Sequence, residues 1–438
     1  NGTSNDGIVR VTLNYRHPNT GSNTNYKNQN IVKNAIAAAD AYVNYKSFDS
    51  DGDGLVTAAE LHIITVVAGN DASYGDPAPT IWPHSWSTED TINKDGISIF
   101  GDYTQIADNQ GGHMTTIGVV AHELGHDIGL PDLYDRDYTS YGLGVYSLMA
   151  FGSWGMAQDE YDGASPTHLD AWCKIRLGYA TPEIAAAGSY TMKSVAKGGY
   201  NILKIETSDP NQYFLVENRQ LTGFDAGLAY YGINTGGIAI YHIDDSVYNG
   251  NDDETHKLVD LEEANEFEYG FCQLDADIYP ELPYNNLFRS GINTRFSYNT
   301  TPHNALYNGA LTNTSISVPG TSSGSMTVNI HIFDDFIVEY GVLLRYLGPG
   351  GDVSIPAGIT IIDYKAFDGC ANITSITVPN SVVSIGESAF EGCTALTSIS
   401  LTNNIKNIGA YAFFGCESLA SITIPTGIST IESGTFFL

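Results

Sequence analysis

Two histidines and a glutamate carry the first sign of chemistry. In His122-Glu123-Leu124-Gly125-His126 the histidines stand four residues apart, so on a helix both imidazoles reach the same point in space. Glu123 then projects toward the open position at that point, where a carboxylate can take a proton from a metal-bound water. Composition alone expects about 0.01 matches to this five-residue pattern in a chain of this length. The third ligand is expected at Asp132. Gly129 ends the helix three residues after His126, and a glycine there lets the chain turn back beneath the ion. The competing third ligand is Glu160, from a later segment. Two imidazoles and one carboxylate with an open fourth position suit a single catalytic zinc.

A second set of oxygen donors lies upstream. Asp49-Ser50-Asp51-Gly52-Asp53-Gly54-Leu55-Val56-Thr57-Ala58-Ala59-Glu60 fits a twelve-residue EF-hand loop. Asp49, Asp51, Asp53, Thr57 and Glu60 supply side-chain oxygens, the Leu55 carbonyl falls at position 7, and Gly54 sits at the sharp turn. Hard oxygen ligands at that density predict a structural Ca²⁺; the plainer reading is an acidic turn. His84, between Trp82 and Trp86, and His242, on a strand, are expected to be hydrogen-bonded structural histidines.

The elements that must hold these groups follow from pattern. Helical periodicity runs over Ile31 to Phe48, a β-branched strand over Leu61 to Val67, and the motif helix over Thr115 to Asp127, with a threonine at its start and Gly129 just past its end. From 181 to 335 short strands alternate with Gly, Asn, Asp and Pro clusters, among them Tyr200 to Glu206, Tyr213 to Glu217, Gly237 to Ile243 and Ser325 to Ile332, an all-β pattern read as a sandwich. The acidic stretch Asp244 to Glu268 reads as a solvated loop, with a calcium-binding loop as the alternative. Thereafter the chain repeats: Ala366-Phe367, Ala389-Phe390 and Ala412-Phe413 are in register, as are Gly369-Cys370, Gly392-Cys393 and Gly415-Cys416, and Ile376, Ile399 and Ile422 open the next strands. A 23-residue period means stacked units, none able to bury its apolar face alone, with Phe336 to Val353 as entry cap. The expected fold class is thus multidomain α+β: a domain carrying the metal motif (1–180), an all-β sandwich (181–335) and a solenoid of 23-residue repeats (336–438).

Composition narrows the function. The chain has 438 residues, with 50 Asp+Glu against 19 Lys+Arg and a formal charge of −31; nucleic-acid backbones and anionic membrane surfaces need the opposite sign. Its 42% hydrophobic content is too high for a disordered acidic tail. No apolar run is long enough to span a bilayer. Five cysteines (Cys173, Cys272, Cys370, Cys393, Cys416) are too few for a disulfide scaffold, and the last three read as small buried side chains of the repeat. The opening Asn1-Gly2-Thr3-Ser4 is that of a mature or trimmed chain.

The motif segment resembles the metzincin pattern HExxHxxGxxH with Asp132 in place of the last histidine. Met149, in Ser147-Leu148-Met149-Ala150, is then the Met-turn forming an apolar floor, and Phe151 stands where some metzincins place a tyrosine. Phe48 to Asp170 is similar to the immune inhibitor A family of secreted bacterial zinc metallopeptidases, through Ile81-Trp82-Pro83-His84-Ser85, Leu130-Pro131-Asp132-Leu133-Tyr134-Asp135 and Gly152-Ser153-Trp154. The likeness continues more loosely through Val216-Glu217-Asn218-Arg219-Gln220 and Ile240-Tyr241-His242-Ile243-Asp244. It implies secretion, one catalytic zinc, structural calcium and an attached β-domain. Two departures stand out: the chain starts later in the pattern than such catalytic domains do, and the repeats, which resemble BspA-like leucine-rich repeats of bacterial surface proteins, are an addition. The expected function is a secreted or cell-surface zinc endopeptidase acting on protein or peptide substrates, with Glu123 as general base and the repeats holding a cell-surface or glycoprotein partner. The alternative is a surface adhesin that keeps an inactive peptidase fold.

Overall fold

A computed structural model describes residues 7–20, 26–88, 90–99, 101–266, 273–275, 286–297 and 300–437. Cys272 and the end of the acidic stretch, 267–268, lie outside them. The chain divides into two compact units. The first comprises Asn1–Ala185, Ser189–Asn308 and Ile316–Asn329; the second comprises Ala186–Gly188, Gly309–Ser315 and Ile330–Leu438. No helix among the described residues is long and apolar enough to cross a membrane.

In the first unit a mixed sheet runs in the order Thr80–Ile81, Ile64–Asp71, Asp102–Gln110, His84–Ser87. The last strand pairs antiparallel, Ser85 opposite Thr104, as does His113–Met114 at the end of Asp102–Gln110; the other pairings are parallel. The motif helix, Ile117–Asp127, packs on its two final strands. Local sequence fixes the helix less simply than cap rules predict. It starts after Thr116, not at Thr115, and the Thr116 side chain does not cap it. The hydroxyl lies 2.7 Å from the Asp162 carbonyl instead, and the first-turn N–H of Gly118 is satisfied by the Gly163 carbonyl. The predicted helix over Ile31 to Phe48 is two pieces, Tyr26–Ala39 and a 3-10 turn at Tyr45–Phe48. The break coincides with Asp40 and Asn44, both poor helix formers. The strand expected over Leu61 to Val67 begins at Ile64 and runs to Asp71, because the Leu61 N–H is spent on the Thr57 carbonyl in a turn.

Between 181 and 335 the described residues form two sheets. The five-stranded one orders Val259–Leu261, Gly237–Asp244, Gln212–Arg219, Leu203–Glu206, Glu183–Ile184. Its two longest strands pair antiparallel from Gln212↔Asp244 to Arg219↔Gly237 and are buried at every residue. Side chains alternate along them. Tyr213, Leu215, Tyr241 and Ile243 join a core with Leu130, Leu133, Tyr146, Met149 and Trp172, whereas Phe214 packs edge-to-face on Phe296, 5.2 Å between centroids. Phe296 belongs to the four-stranded sheet, ordered Gly188–Lys193, Ser325–Ile332, Thr314–Ser317, Arg295–Phe296. The core below the motif helix is therefore continuous with the strands beyond residue 181.

The second unit is a stack of turns. Val342–Tyr346, Ile361–Ile362, Ser384–Ile385 and Asn407–Ile408 form one parallel ladder, with Phe336–Glu339 added antiparallel at its start; Gly351–Ser354, Ile373–Thr377 and Ser398–Ser400 form another. Ile422, expected to begin a further strand, lies in irregular backbone. Tyr346, Phe367, Phe390, Phe413 and Phe436 stack in sequence, with centroids 4.9–5.6 Å apart. Gly369, Gly392 and Gly415 all have φ near +70°, a conformation that side chains resist, which is why glycine recurs at that place. The thiols of Cys393 and Cys416 lie 3.2 and 3.1 Å from the carbonyls of Phe367 and Phe390, buried and unpaired with one another.

Candidate metal centre

Gly125 and Gly129 prepare the site. A β-carbon on Gly125 would sit 2.4 Å from the sulfur of Met149, so only glycine lets the helix lie on that side chain. Gly129, at φ +94°, ends the helix, and the Leu130 N–H bonds back to the Gly125 carbonyl. The chain then returns past the two histidines and delivers Asp132. Asp132 Oδ1 lies 3.2 Å from His122 Nε2 and 3.1 Å from His126 Nε2. The two imidazoles stand nearly perpendicular, 4.8 Å apart. Glu160 is elsewhere: its carboxylate accepts from the Ala157 N–H and the Ser165 hydroxyl.

Each imidazole is oriented by a carbonyl. His122 Nδ1 lies 2.8 Å from the Leu148 oxygen and His126 Nδ1 2.9 Å from the Leu130 oxygen. A carbonyl only accepts, so both Nδ1 atoms carry hydrogen, and the neutral rings turn lone pairs at Nε2 inward. Asp132 Oδ1, though buried and close to both, has no properly aligned hydrogen-bond donor. With both rings neutral, three acceptor atoms lie within 4.8 Å of one another, and they repel unless a cation, a proton or a metal ion, sits between them. The residues therefore fit a metal ion. The same pull acts on protons. Burial would lower the His126 ring, but Asp132 and Glu123 outweigh it and raise it to about 9. Burial opposes ionisation of Asp132, yet the two imidazoles hold it well below the usual carboxylate range. A divalent ion would displace that proton.

Glu123 is half-buried in the turn that carries His122 and His126. Desolvation pushes its carboxyl up, while the imidazoles and the Ser85 backbone N–H pull the other way. Met149 is fully buried beneath Gly125, and its carbonyl accepts from the Leu133 N–H, next to Asp132. Pattern reading named no tyrosine, but Tyr134 is at the site. Its ring stacks on His122 at 6.1 Å, and burial together with the charge of Asp132 pushes its phenol up. The available signal was its place two residues after Asp132 in the same loop. Phe151 packs against that ring, 5.9 Å away. Beside the cluster opens a cavity of about 260 Å³ lined by His126, Pro131, Asp132, Arg136, Tyr248 and Asn249. The Arg136 guanidinium is held by Asp252 at 2.5–3.1 Å.

The remaining candidates lie apart from this cluster. His84 bonds the Trp82 carbonyl and the Tyr103 hydroxyl. His242 stacks on Tyr307, meets Gln212, and is lowered by burial to about 4. In the upstream loop, Asp49, Asp51 and Asp53 gather within 4.8 Å. Glu60 is not in that group; its carboxylate accepts from the Ser50 N–H and hydroxyl and from the Thr57 N–H. Leu55 begins a two-residue strand, paired with Ser98, and no helix follows the loop.

Comparison with known proteins agrees with two parts of the chain. Residues 10–180 match the family described as immune inhibitor A peptidase M6, catalytic domain. Residues 351–438 match six copies of the BspA type leucine rich repeat region. Immune inhibitor A of Bacillus thuringiensis subsp. alesti is 31% identical over 167 residues, 32% of this chain and 23% of that protein. The pre-pro-metalloprotease PrtV of Vibrio cholerae is 46% identical over 59 residues, 13% of this chain and 6% of that one. The chain thus spans less than a quarter of either relative's length. Among solved structures, a leucine-rich repeat protein of T. pallidum is 37% identical over 20% of this chain and 43% of its own, with a TM-score of 0.20. The protein carries an immune inhibitor A-type peptidase domain and a BspA-type repeat region.

Proposed function

We propose that this protein is a secreted or cell-surface zinc endopeptidase, with His122, His126 and Asp132 as zinc ligands, Glu123 as general base, and repeats that hold a surface or glycoprotein partner. The observation that carries the reading is the inward convergence of two Nε2 lone pairs and the unbonded Asp132 oxygen, with Glu123 one residue from His122. Bound there, zinc supplies a Lewis acid that brings the pKa of its water toward ~7 and polarises the scissile carbonyl. Glu123 would take a proton from the attacking water and pass it to the departing nitrogen. Desolvation, which pushes its carboxyl up, suits a carboxylate that must hold a proton for part of the cycle. Met149 and Gly125 fix the floor, and Tyr134 packs on His122. The division into a catalytic region 1–180 with a metzincin-type fold, a β-sandwich 181–335 and repeats 336–438 belongs to the same reading. So does a Ca²⁺ at Asp49, Asp51 and Asp53, with the Leu55 carbonyl, Thr57 and Glu60 completing the shell once Glu60 leaves Ser50.

The test is zinc content together with casein cleavage, each with and without chelator. One bound zinc and chelator-sensitive cleavage support the enzyme. Zinc-loaded protein without cleavage, but with retained binding to cells, would favour an adhesin that keeps the peptidase fold. Within the active protein, Glu123→Gln should keep zinc and lose at least ~10²-fold in rate.

A further inference from the structure

The carbonyl that orients His122 belongs to Leu148, which lies between the 3-10 turns Gly144–Tyr146 and Phe151–Trp154 and has no regular element of its own. Its position is set by the bonds around it. Arg219, on the strand Gln212–Arg219 and fully buried, donates from Nη1 to the Tyr146 carbonyl at 2.8 Å. Through Nε and Nη2 it grips Asp225 at 2.7 and 2.6 Å. Asp225 accepts the His168 N–H at 3.0 Å, and the His168 carbonyl accepts the Leu148 N–H at 3.3 Å. Arg219 thus holds both sides of Ser147, on one side directly and on the other through Asp225 and His168. Ser147 itself is held by Asp170 at 2.6 Å.

We propose that Arg219 is a positioning residue for the metal centre: through Tyr146 and Asp225 it fixes Leu148, and through Leu148 the direction of His122. The proposal rests on the zinc reading above. A buried arginine is a poor choice for stability alone, since apolar replacements of such groups often stabilise. A planar guanidinium with its donors assigned to fixed acceptors holds several segments in one geometry, which the compact Lys ammonium does not reproduce. Groups behind metal-ligating histidines typically govern metal affinity by 10–100-fold.

The full chain is tested by zinc competition against a chromogenic chelator and by the visible spectrum of the cobalt-substituted protein, with near-UV circular dichroism confirming a folded state. Arg219→Met and Arg219→Lys should weaken zinc by about 10–100-fold and alter the cobalt spectrum, with the lysine recovering part of the loss. Asp225→Asn, close in shape, should act in the same direction and serves if the arginine variants do not fold. Tyr200→Phe removes a bond to Glu217 in the same buried network but touches neither Tyr146 nor Asp225; it should lower the melting temperature and leave zinc affinity unchanged. Parental zinc affinity in folded Arg219 and Asp225 variants, or equal zinc loss in Tyr200→Phe, overturns the proposal while the zinc reading stands. A parent chain that takes up no zinc overturns both.

Discussion

At the scale of single residues, the least redundant group is Asp132. Removing its carboxylate leaves two protein ligands where catalytic zinc has three, so Asp132→Ala should lose zinc affinity sharply while Glu160→Ala, whose carboxylate serves only Ala157 and Ser165, should keep it. Chelator competition reports both; the opposite order would reassign the third ligand. Glu217 gives a second residue-scale prediction. Burial opposes its charge, but Lys174 at 2.6 Å and Arg219 at 3.3 Å reverse that and hold it down at about 2, against 4.5 normally. In the unfolded chain it protonates near its ordinary value. The stabilisation, roughly 3 kcal/mol, is therefore complete above the ordinary carboxylate pKa and drains away as pH falls toward about 2. Melting temperature followed from neutral to acid pH should drop over that window in the parent. Glu217→Gln should be less stable at neutral pH and flatter across the window; equal slopes would show that another group controls acid unfolding.

At the scale of elements, sequence spacing was most informative where a short-range period governs geometry. Four residues between His122 and His126, and 23 between successive Ala-Phe pairs, translate directly into one helix face and one stacked ladder. It was least informative where distant backbone supplies what a side chain usually does. Thr116 looks like a cap and is not one, because Gly163, brought close by the fold, takes the Gly118 N–H. Arg219 escaped for the same reason, since nothing local says that a strand 73 residues on will hold Tyr146, and Tyr134 offered only its place two residues after Asp132. The ladder makes its own prediction. Phe390 touches Phe367 and Phe413 at 4.9 and 5.2 Å, so Phe390→Ala should cost about 3–5 kcal/mol. Calorimetry should show the repeat transition moving down while zinc uptake is retained. Loss of zinc together with that transition would tie the repeats to the centre.

For the whole molecule, the informative boundary is where the core stops. The hydrophobic cluster beneath the motif helix contains Leu130, Met149 and Trp172 together with Leu215, Tyr241 and Leu287. A fragment ending at residue 180 gives up half of it, and should be aggregated or unable to retain zinc in gel filtration with metal analysis. A fragment ending near residue 333 keeps that core and should cleave a small peptide at the parental rate, with reduced attachment to cells. Should the shorter fragment prove folded and zinc-loaded, the strands beyond 181 are dispensable to the centre. The solenoid has a further consequence, at the level of its coding DNA. Each turn offers the next the same partner, so an in-frame loss of one complete repeat would let Phe367 meet Phe413 as it now meets Phe390. A change that is not a whole number of 23-residue repeats would put the ladder out of register. Unequal crossing-over between such similar segments can therefore lengthen or shorten this arm in whole turns, changing its reach without redesigning its interior.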